Sequence, residues 1–214
     1  MINDSIHTYL QELVSPKPDW VMTLEEHADK NNVPIMESVA IDFMLNQIKI
    51  HQPKQILEVG TAIGYSALRM LEASPNSEII TIEKDEQRYK EAIETISKQN
   101  KDNKIIVHLG DALDVMQKLQ EADKKFDFIF IDAAKGKYRD FFDIAHQLLN
   151  KGGWIVTDNV LFRGYVANPE AAPKRYKNMV KKISEYNQLL STHPDYITSI
   201  LPIGDGVMLS YKID

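Results

Sequence analysis

Glu58-Val59-Gly60-Thr61-Ala62-Ile63-Gly64-Tyr65-Ser66 is the stretch on which the fold turns. It follows the β-branched run Gln55 to Val59 and opens a segment of helical periodicity, Tyr65 to Ala73, so it reads as a strand handing over to a helix through a tight turn. Outward from it the same alternation repeats. Further strands are expected at Glu78 to Glu83, Ile105 to Leu109, Phe126 to Asp132 and Trp154 to Asp158. Helices are expected at Asp85 to Gln99, Leu113 to Ala122 and Tyr138 to Leu149, the last stopped by Lys151-Gly152-Gly153. Strands alternating with helices predict an α/β fold with a parallel sheet covered on both faces. The tail breaks the rhythm. Tyr196 to Leu201 and Val207 to Tyr211, joined by Gly204-Asp205-Gly206, read as an antiparallel hairpin at one end of the sheet. Before Gln55 the chain offers two or three helices, broken at Pro16, Pro18 and Pro34 and expected to cap one side of the sheet.

The bulk numbers bound this reading. At 214 residues with 43% hydrophobic composition the chain can bury one sizeable core, which predicts a single domain over 1-214: a helical cap at 1-50 and an α/β core at 51-214. No apolar run approaches a membrane span, and Asp4 and Glu12 lie where a signal peptide would be basic, so a soluble, cytoplasmic protein with no membrane partner is expected. The absence of cysteine excludes disulfides, thiolate metal sites and a cysteine nucleophile. A net charge of -6 argues against a nucleic-acid binder that uses its whole surface, while leaving room for a local basic patch.

Three successive strand ends carry candidate cofactor contacts. The glycine turn, with Glu58, Gly60, Tyr65 and Ser66, allows a ligand close to the backbone, but it matches neither G-x-G-x-x-G nor a phosphate loop. Glu83 ends the second strand, where a carboxylate can accept both ribose hydroxyls of an adenosine; a solvated strand end would look the same. Gly110-Asp111-Ala112 ends the third and can flank an adenine ring, or Asp111 can simply cap the next helix. Their common placement at the crevice where open α/β sheets bind ligands favours the binding reading.

The next two strands end in hard oxygen ligands. Asp132 closes the fourth and Asp158-Asn159 the fifth, a set suited to Mg2+, with positions left for two neighbouring substrate oxygens. A helix cap at Asp132 and a loop-forming pair at Asp158-Asn159 are the alternatives. Lys135, three residues after Asp132, can accept a hydroxyl proton if burial and an adjacent cation depress its pKa; an exposed lysine without a role is the ordinary alternative.

With these residues in view, Ile56 to Gly164 resembles the catechol and caffeoyl-CoA type O-methyltransferases, a metal-dependent branch of the class I methyltransferases. The turn at Glu58 to Ser66, Glu83, Gly110-Asp111, Asp132 with Lys135, and Asp158-Asn159 carry the likeness. The resemblance implies a Rossmann-like, seven-stranded, mostly parallel sheet and S-adenosylmethionine as methyl donor. It also implies Asp132, Asp158 and Asn159 as ligands of Mg2+ or another divalent cation such as Mn2+ or Ca2+, and a homodimer. Asp132 then faces cofactor, metal and reacting atoms together, with Lys135 as base, and Met36 is placed on the cofactor side. Ala62 departs from the glycine that many methyltransferases have there.

Within that family, Pro34-Ile35-Met36-Glu37, the run Ile131 to Tyr138 and the run Asp158 to Gly164 are most similar to bacterial members that methylate 5-hydroxyuridine at the tRNA wobble position. The 5-hydroxyl beside the 4-carbonyl can chelate a metal much as a catechol does. A tRNA partner needs phosphate contacts. Arg163, Lys174, Arg175, Lys177, Lys181 and Lys182 face only Glu170 in this part of the chain, and with Lys135, Lys137 and Arg139 they can form a basic rim. A solvated helix from Lys174 to Leu190 explains the same lysines. Tyr138, Phe162 or Tyr165 can stack on an anticodon base, or serve as core or lid. Small catechols and phenols are the alternative acceptors; a protein that only holds S-adenosylmethionine gives no reason for the three oxygen ligands.

Overall fold

The structure is a computed structural model that describes residues 4–213; residues 1–3 and 214 of the expected domain lie outside the described residues. Seven strands form one sheet in the order β3-β2-β1-β4-β5-β7-β6. They are β1 (Gln55–Val59), β2 (Glu78–Glu83), β3 (Ile105–Leu109), β4 (Phe126–Ile131), β5 (Leu149–Thr157), β6 (Tyr196–Leu201) and β7 (Val207–Lys212). The first five run parallel, and β7 inserts antiparallel between β5 and β6. The order reverses beside β1, where β2 pairs on one side and β4 on the other, and a crevice opens at the carboxyl ends of these strands.

Alternating side chains of the central strands build two cores. Ile56, Phe128 and Phe130 point to the face covered by α2 (Asp19–Lys30), α3 (Ser38–His51), α4 (Tyr65–Ala73) and α5 (Glu86–Lys98). Leu57, Val59, Ile129 and Ile131 point to the face covered by α6 (Ala112–Glu121), α7 (Tyr138–Leu148) and α8 (Lys174–Ser191). A strand buried on both sides has no polar face to show, which is why β4 reads as a nearly continuous apolar run. The N-terminal helices, with α1 (Asp4–Leu13) first, are separated where the prolines fall, and α2 and α3 pack on one side of the sheet as expected. Among the described residues no helix is long and apolar enough to cross a membrane.

One boundary differs for a physical reason. Lys151-Gly152-Gly153 does not stop α7: Leu149 is already extended, and β5 begins there. The glycines instead serve a bulge in which β5 advances from Leu149 to Trp154 while β4 advances only from Phe126 to Phe128. Gly152 sits at φ +78°, and a Cβ on Gly153 would lie 2.9 Å from the Asn150 carbonyl oxygen, so both positions need glycine.

Phe128 is fully buried on the central strand. Phe128→Ala is expected to lower unfolding free energy by about 3–5 kcal/mol, measured by chemical denaturation; a loss below about 1 kcal/mol would contradict this packing account.

Candidate active site

A cleft of about 480 Å3 runs along the carboxyl ends of β1 to β5. Its floor begins at the glycine turn. The Gly60 and Thr61 N–H groups donate to the Ile82 carbonyl at 3.0 and 3.2 Å, which folds the chain back over β2. Gly60 stands at φ +107°, and a Cβ there would fall 2.0 Å from the Asp132 carbonyl oxygen, so β1 and β4 approach this closely only because the residue is glycine. Ala62 takes a left-handed φ of +47°, where a side chain costs about 1 kcal/mol and glycine is the relaxed choice. Glu58 lies beneath the turn rather than on the cleft. It is fully buried and accepts from the Ser66 hydroxyl and from Thr81 Oγ1 at 2.5 Å. Burial pushes its carboxyl up to about 7 against those two donors, with Asp132 and Glu83 adding to the rise. Its contact with the cleft is therefore indirect: it orients Ser66, which lines the cleft with Gly60, Tyr65 and Met36.

Glu83 is held by backbone. Its Oε2 accepts the Ala62 N–H at 2.8 Å, and its Oε1 accepts the Lys84 and Asp85 N–H groups at 2.9 Å each. That grip holds the carboxylate of Glu83 in one orientation where the residue lines the cleft. Asp111 caps α6, its Oδ1 accepting the Leu113 N–H at 3.0 Å, and with Gly110 and Ala112 it also lines the cleft.

The deepest part is acidic. The Asp132 N–H donates to the Val59 carbonyl at 2.9 Å and the Asp158 N–H to the Ile131 carbonyl at 3.1 Å, so both aspartates stand one residue past the ends of adjacent strands. Burial raises the Asp132 carboxyl above the usual carboxylate range, opposed by Lys135. Burial, then the negative charge of Asp132, pushes Asp158 up to about 8 against the Asn159 N–H and Lys135, with Asp205 adding to the rise. Asn159, at φ +58°, turns its side-chain oxygen to the Lys135 ammonium, which donates to it. Two adjacent carboxylates and an amide oxygen, with no sulfur or nitrogen donor among the three residues, form a set that fits a hard divalent cation, since a positive ion offsets both the desolvation of the carboxylates and the repulsion that raises Asp158.

The rim is less free than its sequence suggests. Lys137 and Arg163 line the cleft, but Lys137 also lies 3.5 Å from Asp111 Oδ2. Arg139 pairs with Asp143 at 3.1 Å, Lys177 with Glu170 at 3.3 Å and Lys181 with Glu185 at 3.8 Å, and Lys182 donates to the Gly136 carbonyl at 3.3 Å. Lys174 and Arg175 are exposed in the first turn of α8, where Arg175 covers the Tyr176 ring at 4.6 Å. Tyr138 is not available for stacking: it is 1% exposed, and its hydroxyl donates to the Asp158 carbonyl at 2.7 Å. Phe162 does line the cleft, backed by the Tyr165 and Tyr176 rings at 6.0 and 5.3 Å.

Two parts of the site escaped sequence reasoning. Asp205 was read only as a turn residue, yet it lines the cleft, and its carboxylate accepts the Arg163 N–H. Its carbonyl accepts the Leu161 and Phe162 N–H groups at 3.0 and 3.2 Å, so the hairpin turn holds the loop after Asn159 in place. Glu25 of α2 accepts from the Tyr65 hydroxyl at 2.5 Å and from Lys17 at 2.7 Å, tying the N-terminal helices to the start of α4.

The geometry agrees with the comparisons. Residues 11–213 match the model of the O-methyltransferase family, to which the chain belongs. The caffeoyl-CoA O-methyltransferase of Eucalyptus gunnii is 31% identical over 223 residues, covering 99% of this chain and 88% of the relative. A solved Staphylococcus aureus protein of the caffeoyl-CoA O-methyltransferase type superposes with a TM-score of 0.90 at 35% identity, covering 98% of this chain and 100% of the other. An O-methyltransferase from Bacillus cereus, solved in complex with SAH, gives 0.85 at 25% identity and 97% coverage of both chains.

The raised carboxyls set a pH dependence for the protein kept in chelator. A carboxyl whose folded pKa is raised contributes stability that is complete below its unfolded value, about 4, and is lost as pH rises through the folded one. The thermal midpoint of the wild type is therefore expected to fall relative to that of Asp158→Asn as pH rises from about 5 to about 8.5. A difference that stays constant across that range, or grows in favour of the wild type, would show that the pair is not strained.

Proposed function

We propose that this protein transfers the methyl group of S-adenosylmethionine to a hydroxyl that has a second oxygen beside it, and that its acceptor is the 5-hydroxyl of wobble uridine in the tRNA anticodon region. The observation that carries the reaction class is the single cleft in which the backbone-held carboxylate of Glu83 and the side-chain oxygens of Asp132, Asp158 and Asn159 lie together. In this reading Glu83 takes the ribose hydroxyls, Asp111 and Ala112 flank the adenine, and Met36, Gly60, Tyr65 and Ser66 surround the remainder of the donor. The SAH carried by the similar Bacillus cereus enzyme supports the choice of donor.

Asp132, Asp158 and Asn159 would hold a divalent cation, Mg2+ or Mn2+ or Ca2+. Such a cation, when bound, lowers the pKa of an acceptor hydroxyl and fixes its orientation. Lys135, which donates to Asn159, stands beside that position; after its ammonium has released a proton to solvent, its amine would take the hydroxyl proton as the oxygen bonds to the methyl carbon and the methyl–sulfur bond breaks, releasing S-adenosylhomocysteine. Tyr138 and the Asp205 turn position the loop that carries Asp158 and Asn159.

The tRNA acceptor is supported by Arg163 and Lys137 on the cleft and by Lys174 and Arg175 exposed on α8. A small phenol is the second reading, favoured by the names of the curated relatives, which are caffeoyl-CoA O-methyltransferases.

Labelled S-adenosylmethionine, offered with tRNA bearing 5-hydroxyuridine or with a small catechol, tests both. Label is expected in the tRNA with Mg2+ and not in chelator. Asp158→Ala should cost on the order of 100-fold or more. Lys135→Met should lower kcat by about 100-fold with the KM for the donor unchanged. Labelling of catechol alone would move the acceptor to small phenols, and full turnover in chelator would overturn the metal assignment.

A further inference from the structure

A second cluster of ligating side chains lies far from the cleft. β6 is antiparallel to β7, which is antiparallel to β5, so β6 starts at the edge of the sheet where β5 starts, opposite Asp158. At that edge His146 of the last turn of α7 meets His193 and Asp195 of the segment between α8 and β6. One ligand atom from each of the three lies within 4.8 Å of the other two. His146 Nε2 is 3.9 Å from Asp195 Oδ2, and the two imidazole centroids are 5.4 Å apart.

We propose that His146, His193 and Asp195 form a binding site for a borderline transition-metal ion, Zn2+ above all, separate from the oxygen-only centre at Asp132, Asp158 and Asn159. Two imidazoles and a carboxylate are a donor set that selects Zn2+ over Mg2+. With metal–ligand bonds of about 2.0–2.1 Å, tetrahedral ligands stand about 3.3 Å apart, so the His146 and Asp195 atoms need to close by little more than half an ångström. All three side chains are half-buried, leaving room for that rotation and a fourth position for water. His146 Nδ1 lies 3.1 Å from the Tyr196 hydroxyl, which can accept its proton and leave Nε2 free to ligate, the outer-shell arrangement usual for metal-bound histidine. The Asp195 N–H donates to His193 Nδ1 at 3.2 Å, and coordination by His193 gives up that one bond. Phe142 stacks against His146, His193 and Tyr196, with centroids 5.5–5.9 Å away, and backs the site with an apolar wall. The ion would pin the end of α7 to the start of β6, elements otherwise joined there by side chains alone.

The test uses the untagged full-length chain in excess Mg2+, titrated with Zn2+ in competition with a chromogenic chelator. The Asp158→Asn variant serves to remove the oxygen centre as a source of Zn2+ binding. One Zn2+ per chain is expected in both proteins, weakened by more than about 100-fold in His193→Gln and in His146→Gln. The imidazole proton resonances of the unmutated chain should shift on adding one equivalent of Zn2+. Co2+ in place of Zn2+ should give the visible absorption of a tetrahedral, nitrogen-ligated ion. Zn2+ binding that survives both histidine substitutions, or imidazole resonances unmoved by one equivalent, would overturn the proposal.

Discussion

Two carboxylates standing side by side just past the ends of β4 and β5 are the constraint around which the site is arranged. Asp158 is buried and Asp132 half-buried, desolvation raises both carboxyls, the charge of Asp132 adds to the rise at Asp158, and the Lys135 ammonium opposes it at both. A fold carries such a pair at a cost in stability, because like charges in a weakly polar interior cannot be screened by solvent. Bound cations are the ordinary way of relieving that cost, and the neighbouring oxygen of Asn159 completes a hard ligand set.

The rest of the cleft follows from where those strands end. Parallel packing of β1 against β4 brings the glycine turn onto the Asp132 backbone, and the close approach at Gly60 holds the glycine-turn side and the Asp132 side of the cleft together. Glu58, buried under the turn with Thr81 and Ser66, locks β1 to β2, and Glu83 one strand further on is gripped by three N–H groups. On the other side the hairpin turn at Asp205 reaches back to fasten the loop after Asn159. The antiparallel end of the sheet thus does more than close an edge: it supplies the clamp for the loop that follows Asp158 and Asn159.

Much of this was legible in sequence, for a physical reason. Strands such as Glu78–Glu83 and Ile105–Leu109 are short and rich in β-branched residues, so their limits are set by local composition. Site residues at strand ends inherit that clarity. What failed were features decided by contacts distant in sequence. Gly152 and Gly153 serve a bulge set by pairing with β4, and a helix stop and a strand bulge call for the same residue. Tyr138 reads as an aromatic beside the ligands, but the Asp158 carbonyl draws its hydroxyl inward. Nothing local marks Asp205 as more than a turn residue, and His146 and His193 are joined only by the return of the chain at β6.

Diffraction from crystals grown with Mn2+ tests the central claim most directly, because the anomalous signal locates the ion without reference to activity. The account predicts a peak within about 2.0–2.4 Å of oxygens of Asp132, Asp158 and Asn159, with the Lys135 ammonium displaced from the amide. Crystals with Mn2+ bound elsewhere, and with Lys135 still hydrogen-bonded to Asn159 between two carboxylates free of metal, would contradict it.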